Sequence, residues 1–340
     1  MYSDYCKERC IIRELTARTK AELLSIGHAQ VDPALQTPEY VGSSTAGPGA
    51  GGRSVFFSAG GRRVRLSIRP ESPLHISAQD EEVVIEKDGV IIAEGELERI
   101  GSHCPNQAYI TVSEQCCFHC AFCPVHTLKG PVKSRERVLS IIDQVYLTGD
   151  LRAISLTGGV EKSPDLELDR MTRLVEEVVR EYDVPVGVSV YPTDKSSDEL
   201  YAAGADEVKY NVETMDPAIF PRVCPDLSLD QVIRELTYAG DLFGKDHVSS
   251  NMIIGLGETD ETVLAGVTQL AGIGVIPVLR AIAIHPSLPL PGAVRPSAER
   301  IFSLAAATKE ILGKNGLSPL HARTMCLPCT GCDLIPDHDL

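Results

Sequence analysis

Ala108-Tyr109-Ile110-Thr111-Val112 runs directly into Ser113-Glu114-Gln115-Cys116-Cys117-Phe118-His119-Cys120-Ala121-Phe122-Cys123-Pro124. The first five residues are apolar or β-favouring, as in a buried strand. The rest is a loop whose thiols stand in a C-x3-C-x2-C frame, Cys116, Cys120 and Cys123. Downstream, strand, loop and helix repeat. The spacing predicts strands over 108–112, 153–156, 186–190, 207–212, 249–255 and 278–284. Between them it predicts helices over 134–147, 167–182, 195–203, 228–243 and 259–273, with another at 297–314. Such βα units in succession mean a parallel sheet with covering helices, in a barrel or a doubly wound sheet. In barrels the active groups sit on loops at the strand C-terminal ends, and the unusual sequences here fall at those ends.

Upstream the pattern differs. Residues 12–26 show helical spacing and stop at Gly27. Residues 42–52 form a loop that contains a formal G-x-G-x-x-G (Gly47, Gly49, Gly52). A strand-like run over 54–58 follows where a dinucleotide fingerprint would open a helix, so a flexible connection is the better reading. From Arg53 to Ile100 the pattern is β, with Lys87-Asp88-Gly89 as a hairpin turn between two apolar runs. The expected organisation is an N-terminal helical segment (1–40), a small β-rich domain (41–103), a (βα) barrel (104–318) and a Cys-rich C-terminal tail (319–340).

The chain has 340 residues, a formal charge of −15, 11 cysteines and no tryptophan. With 43% hydrophobic and 23% charged residues it has the composition of a globular protein, which excludes collagen, coiled coil and wholesale disorder. The acidity argues against nucleic acid as a partner. The absence of a long apolar run argues against a membrane, and Met1-Tyr2-Ser3-Asp4 does not resemble a signal peptide, so a cytoplasmic location is expected. Seven of the cysteines fall in two clusters far apart in sequence, which points to metal rather than disulfides.

Three thiolates on one short loop can each hold one iron of a [4Fe-4S] cube and leave the fourth iron open. Zinc would need a fourth ligand, such as His119 or His126, and usually takes paired C-x2-C knuckles. The frame, with aromatic Phe122 before the last cysteine, resembles the radical S-adenosylmethionine (SAM) superfamily; Cys117 reads as a packed bystander. After the second strand, Thr157-Gly158-Gly159-Val160-Glu161 resembles the family's Gly-Gly-Glu element, although Val160 separates the glycines from Glu161. The fourth strand carries Asn211 and Glu213 in alternation, similar to the ribose-binding stretch of biotin synthase-like members. The fifth, with Ile253-Ile254-Gly255-Leu256-Gly257-Glu258-Thr259, is similar to their adenine-side element.

The resemblance implies a fold and a chemistry. The fold is α/β, a partial or full parallel (β/α) TIM-type barrel of about six βα units, with the β-rich extension and the tail appended. The chemistry is reductive cleavage of SAM to a 5′-deoxyadenosyl radical that abstracts hydrogen from an unactivated carbon. Cys116, Cys120 and Cys123 would hold the cluster; Phe122, Gly158, Gly159, Asn211, Glu213, Ile253 and Gly255 would contact SAM. A reduced ferredoxin or flavodoxin-type protein would donate the electron.

The tail reads Cys326-Leu327-Pro328-Cys329-Thr330-Gly331-Cys332, a C-x2-C-x2-C. An auxiliary [4Fe-4S] cluster is the leading reading of Cys326, Cys329 and Cys332, ahead of a structural zinc site and a redox pair. Cys104, Cys224, Cys6 and Cys10 are candidates for a fourth ligand, and an iron left open is the alternative. Within the superfamily the chain resembles a biotin synthase-like group that includes the paired archaeal-type lipoyl synthases. That implies sulfur insertion, with an octanoyl-carrier protein and a paralogous enzyme as partners. It departs from ordinary bacterial lipoyl synthase, which carries its auxiliary cysteines before the SAM motif. The alternatives are radical methylation or carbon-skeleton rearrangement in cofactor biosynthesis and, in another class, a non-catalytic iron–sulfur or zinc protein. Lys133, Lys209, Arg222 and Arg280 read as solvated or paired charges, and Arg323 is the preferred basic contact for the tail or a substrate.

Overall fold

The computed structural model describes residues 14–80, 82–285, 287–288 and 290–340. Cys6 and Cys10 lie outside these residues. The first helix is Ala17–Ile26, later than the periodicity from residue 12 suggests. Thr16 sets its start by accepting the Thr19 N–H, and Gly27 at φ 76° ends it.

The N-terminal strands are β1 (His28–Val31), β2 (Gly42–Ser43), β3 (Arg53–Ala59), β4 (Arg62–Ile68), β5 (Leu74–Gln79), β6 (Glu82–Lys87) and β7 (Val90–Leu97). They order as β2-β3-β4-β1-β5-β6-β7, and a further β3–β7 pairing closes the sheet on itself. Val55, Phe57, Val64, Leu66, Ile76 and Ile85 are all buried in the core. The closure needs Gly95, where a Cβ would lie 2.1 Å from the Ser58 carbonyl oxygen. The 87–89 turn is present, with Asp88 and Gly89 both at positive φ, as a tight hairpin requires. Strand β1 pairs in parallel with both β4 and β5, so this sheet draws on residues before 41.

The second sheet is all parallel: β8 (Gln107–Thr111), β9 (Ala153–Thr157), β10 (Val186–Ser189), β11 (Glu207–Lys209), β12 (Val248–Ile254) and β13 (Ile276–Ala281). Its order, β13-β12-β11-β10-β9-β8, follows the chain, which is the expected TIM-type βα arrangement and not a doubly wound sheet. Helices Arg135–Tyr146, Pro164–Glu181, Ser196–Ala203, Leu229–Phe243, Asp260–Gly272 and Ala298–Lys314 connect or follow the strands. All but Ser196–Ala203 start at a Ser or Thr whose side chain accepts a first-turn N–H. The fourth strand is shorter than predicted: its ladder ends at Lys209, before Asn211 and Glu213.

The tail threads against the starts of these strands. Glu207, first in β11, accepts the N–H groups of Arg323 and Thr324 at 2.6 and 3.0 Å and the Thr324 hydroxyl at 2.5 Å. Gln107, first in β8, accepts the Met325 N–H at 2.9 Å and donates to the Met325 carbonyl at 3.0 Å. Gly187 in β10 leaves the room, since a Cβ there would lie 2.1 Å from Thr324 Oγ1. The short helix Cys326–Cys329 follows. No helix among the described residues is long and apolar enough to cross a membrane.

Candidate active site

The cysteine loop leaves β8 at the C-terminal end of the sheet and is pinned on both sides. Cys117 N–H donates to the Val160 carbonyl at 2.7 Å and Ala121 N–H to the Val223 carbonyl at 2.8 Å. Gly159 N–H donates to the Ser113 carbonyl at 2.8 Å, and a Cβ on Gly159 would lie 2.3 Å from the Gln115 carbonyl oxygen. Only glycine permits that approach.

Cys116, Cys120 and Cys123 line one chamber, about 1020 Å³ of space open to solvent, together with Phe122, Gly158, Gly159, Asn211, Glu213 and Ile253. Gly255 does not line it; its N–H and that of Leu256 each donate to the Glu258 carboxylate at 2.7 Å. Asn211 and Glu213 arrive by a route other than strand alternation. Glu213 sits at φ 59° beyond the ladder, where a single bridge to Met252 holds it. Its carboxyl is pushed up to about 7 by burial, against the Asn211 hydrogen bond and the charges of Arg280 and Lys209. Burial also raises the thiols of Cys116 and Cys123, the latter to about 12. Cys120 rises as well, first through a hydrogen bond with Cys224, which is buried behind the loop.

A second chamber, about 1280 Å³ when space open to solvent is counted, adjoins the first. Cys326, Cys329 and Cys332 line it with Arg65, His103, Tyr109, Lys209 and Arg280. Lys209 Nζ donates to Cys326 Sγ at 3.3 Å, and Arg280 Nη2 does so at 3.4 Å while it pairs with Asp333 at 2.5 Å. Burial alone would raise the Cys326 thiol, but the Lys209 and Arg280 charges outweigh it and the pKa falls. Cys329 falls to about 6, first through its hydrogen bond with Cys104, with Arg63 and Arg65 assisting. Thr157, Ser189, Asn211, Asn251, Ile253 and Arg280 line both chambers, as do Ala46, Gly47 and Pro48 from the glycine-rich loop.

Several expectations change. Arg323 is not beside the tail thiols: its guanidinium points away to Asp206 at 2.6 Å. The roles reverse for Lys209 and Arg280, which lie against Cys326. Lys133 donates to the Thr111 carbonyl and pairs with Glu114, and Arg222 donates to the Leu256 carbonyl. Glu161 does not line the first chamber; Arg170 holds it at 2.6 Å. The nearby buried carboxyl is Glu167, pushed up to about 7 by burial, with Oε1 lacking a hydrogen-bond partner. Arg65 and His103 carried no local sequence signal, because the fold alone brings the segment before the barrel over it, where they meet Tyr109 of β8.

Thiols on the loop and on the tail supply the donor chemistry that iron–sulfur clusters take, one thiolate per iron. Among the described residues no three His, Cys, Asp or Glu side chains converge on a single point as one metal ion requires. Residues 110–267 match the radical SAM superfamily profile. Lipoyl synthase of Nocardia farcinica (strain IFM 10152) is 29% identical over 190 residues, 52% of this chain and 51% of that protein. Lipoyl synthase of Nocardioides sp. (strain ATCC BAA-499 / JS614) is 30% identical over 174 residues, 49% and 53% of the two chains. The chain thus spans about half the length of these curated relatives. Among solved structures, methylornithine synthase (PylB) superposes with a TM-score of 0.52 at 16% identity, over 62% of each chain. HydG, a maturase of the [FeFe]-hydrogenase, superposes at 0.52 and 15% identity, over 62% of this chain and 50% of its own. At such identities these likenesses concern the fold. The parallel βα sheet, the cysteine loop after its first strand and the matched stretch together make residues 110–267 a radical SAM superfamily domain.

Proposed function

We propose that this protein is a radical SAM enzyme that abstracts hydrogen from an unactivated carbon and inserts sulfur there, in the manner of a lipoyl synthase. One observation carries the reading: the loop thiols and the tail thiols face adjoining chambers that share a wall. Cys116, Cys120 and Cys123 would hold a [4Fe-4S] cluster and Cys326, Cys329 and Cys332 an auxiliary one. When bound, these groups supply the electron that cleaves SAM to a 5′-deoxyadenosyl radical and the sulfide that is inserted.

The remaining work belongs to the chain. Gly158 and Gly159 open the wall beside the loop so that backbone can approach SAM, while Asn211 and Glu213 offer hydrogen bonds to its ribose. Phe122 and Ile253 supply apolar wall that excludes water. Lys209 and Arg280 counter the thiolate charge of the tail. A substrate carbon held between Thr157, Ser189 and Asn251 would face both sets of thiols. An octanoyl-carrier protein is the proposed source of that carbon, and a ferredoxin or flavodoxin the electron donor.

The test is anaerobic reconstitution followed by SAM and dithionite, comparing wild type with Cys116→Ala and Cys326→Ala. Expected is 5′-deoxyadenosine from wild type and none from Cys116→Ala. Thiolated octanoyl-protein is expected from wild type alone. Deoxyadenosine with no sulfur-bearing product, the tail iron intact after turnover, would refute sulfur insertion and favour methylation or rearrangement.

A further inference from the structure

Cys104 has no part in the reading above, yet among the described residues it is a thiol outside the tail that packs against it. It is fully buried and packs with Phe56 and Cys329 in a small cluster of their own. The Cys104 side chain is thus in direct contact with one of the three tail thiols. The contact is built rather than incidental. Cys104 bridges to Gln107 across a turn in which Asn106 takes φ 63°. The Gln107 side chain then grips the backbone of Met325 through both its oxygen and its nitrogen, one residue before Cys326. Ser155 Oγ accepts the same Met325 N–H at 3.0 Å and donates to Gln107 Oε1 at 2.9 Å. The turn that carries Cys104 and the tail that carries the other thiols are thus fixed in register by buried hydrogen bonds.

Among the described residues the other candidates are engaged elsewhere. Cys224 lies against Cys120 at the first chamber, Cys117 is exposed and directed at the Lys162 carbonyl, and Asp333 is held by Arg280.

We infer that Cys104 is the fourth protein ligand of the tail site, so that Cys104, Cys326, Cys329 and Cys332 together hold a fully cysteine-ligated [4Fe-4S] cluster with no iron left open to substrate. The inference rests on the proposed reading of the tail as a cluster site. Its consequence is specific: substrate in the shared chamber would meet the cluster through its sulfide face and would not coordinate iron.

The experiment uses the full chain with Cys116, Cys120 and Cys123 all changed to Ala, so that any reconstituted iron belongs to the tail. About four irons per chain are expected, with a reduced-state electron paramagnetic resonance spectrum that added cyanide does not alter. Adding Cys104→Ala should lower the iron toward about three per chain, or leave a spectrum that cyanide now shifts. Cys104→Ser keeps an oxygen ligand and the side-chain volume; it should retain the iron with an altered spectrum, which separates ligation from misfolding. A Cys104→Ala protein with unchanged iron and a cyanide-insensitive, unchanged spectrum overturns the inference but leaves the tail cluster standing. So does a cyanide-sensitive spectrum with Cys104 intact. No tail iron in the parent variant overturns the cluster reading and this assignment with it.

Discussion

The tail is locked from behind by one buried ion pair, and removing it gives a quantitative test of how the second chamber is held. Lys20 Nζ donates to Asp339 Oδ1 and Oδ2 at 2.8 and 2.7 Å and to the Thr330 carbonyl at 2.8 Å, with the two side chains 0% and 1% exposed. All the ammonium protons are therefore used, and Asp339 also accepts the Ile335 N–H at 2.7 Å. Burial lowers the Lys20 pKa despite the Asp339 carboxylate, so the ion is expensive to strand. Asp339→Ala leaves the ammonium uncompensated and should cost about 3–5 kcal/mol. Replacing both partners by apolar side chains, Lys20→Met with Asp339→Leu, should lie within about 2 kcal/mol of wild type. With Lys20→Met and Asp339→Leu also made singly, the double-mutant cycle yields a coupling of about 2 kcal/mol or more. Urea unfolding of the metal-free chain measures it. Because Thr330 follows Cys329, Asp339→Ala should also lower iron retention by the tail while sparing the 116–123 loop. A double variant destabilised by the sum of the two single variants would refute the reasoning, since the pair would then carry no mutual energy.

Other consequences follow from the same geometry. Glu167 titrates at about 7 in the folded chain against a reference of 4.5, so between those values the folded state binds more protons than the unfolded state. Stability should therefore decline as pH rises through that window, by about 3 kcal/mol in total, and Glu167→Gln should remove the decline. A stability difference between the two proteins that stays flat between about pH 5 and about pH 8 contradicts this. Gly159→Ala forces a Cβ against the Gln115 carbonyl and should cost about 1–3 kcal/mol. It should also abolish deoxyadenosine formation, and wild-type activity in that variant would show that the loop tolerates displacement. Arg280→Met strands the Asp333 carboxylate, whose side chain is 1% exposed, and should cost about 3–5 kcal/mol. The Cys326 thiol should then rise, read as an upward shift in the pH profile of its alkylation in the metal-free chain; an unmoved profile would remove Arg280 as a source of the shift.

The sequence by itself determined the parallel βα unit and the cysteine loop. Apolar or β-favouring runs over 108–112 and 153–156 reflect strands buried in the sheet, a local pattern that needs no knowledge of neighbours. The C-x3-C-x2-C frame lies within a few residues of the first of them, so its position at a strand end was legible too. Strand β1 was not: four residues are too few for periodicity, and its parallel partners lie far along the chain. Asn211 and Glu213 reach the chamber by a left-handed residue and a single bridge, which alternation does not foresee. Only tertiary structure decided which charges and thiols meet at the tail. Lys209, Arg280, Arg65 and Cys104 come from four separate elements and gather because Gln107, Ser155 and Glu207 draw the tail against the strand starts. Local pattern reports whether a residue is buried. What it is buried against is settled by contacts between distant segments, and these leave no periodic trace in the sequence.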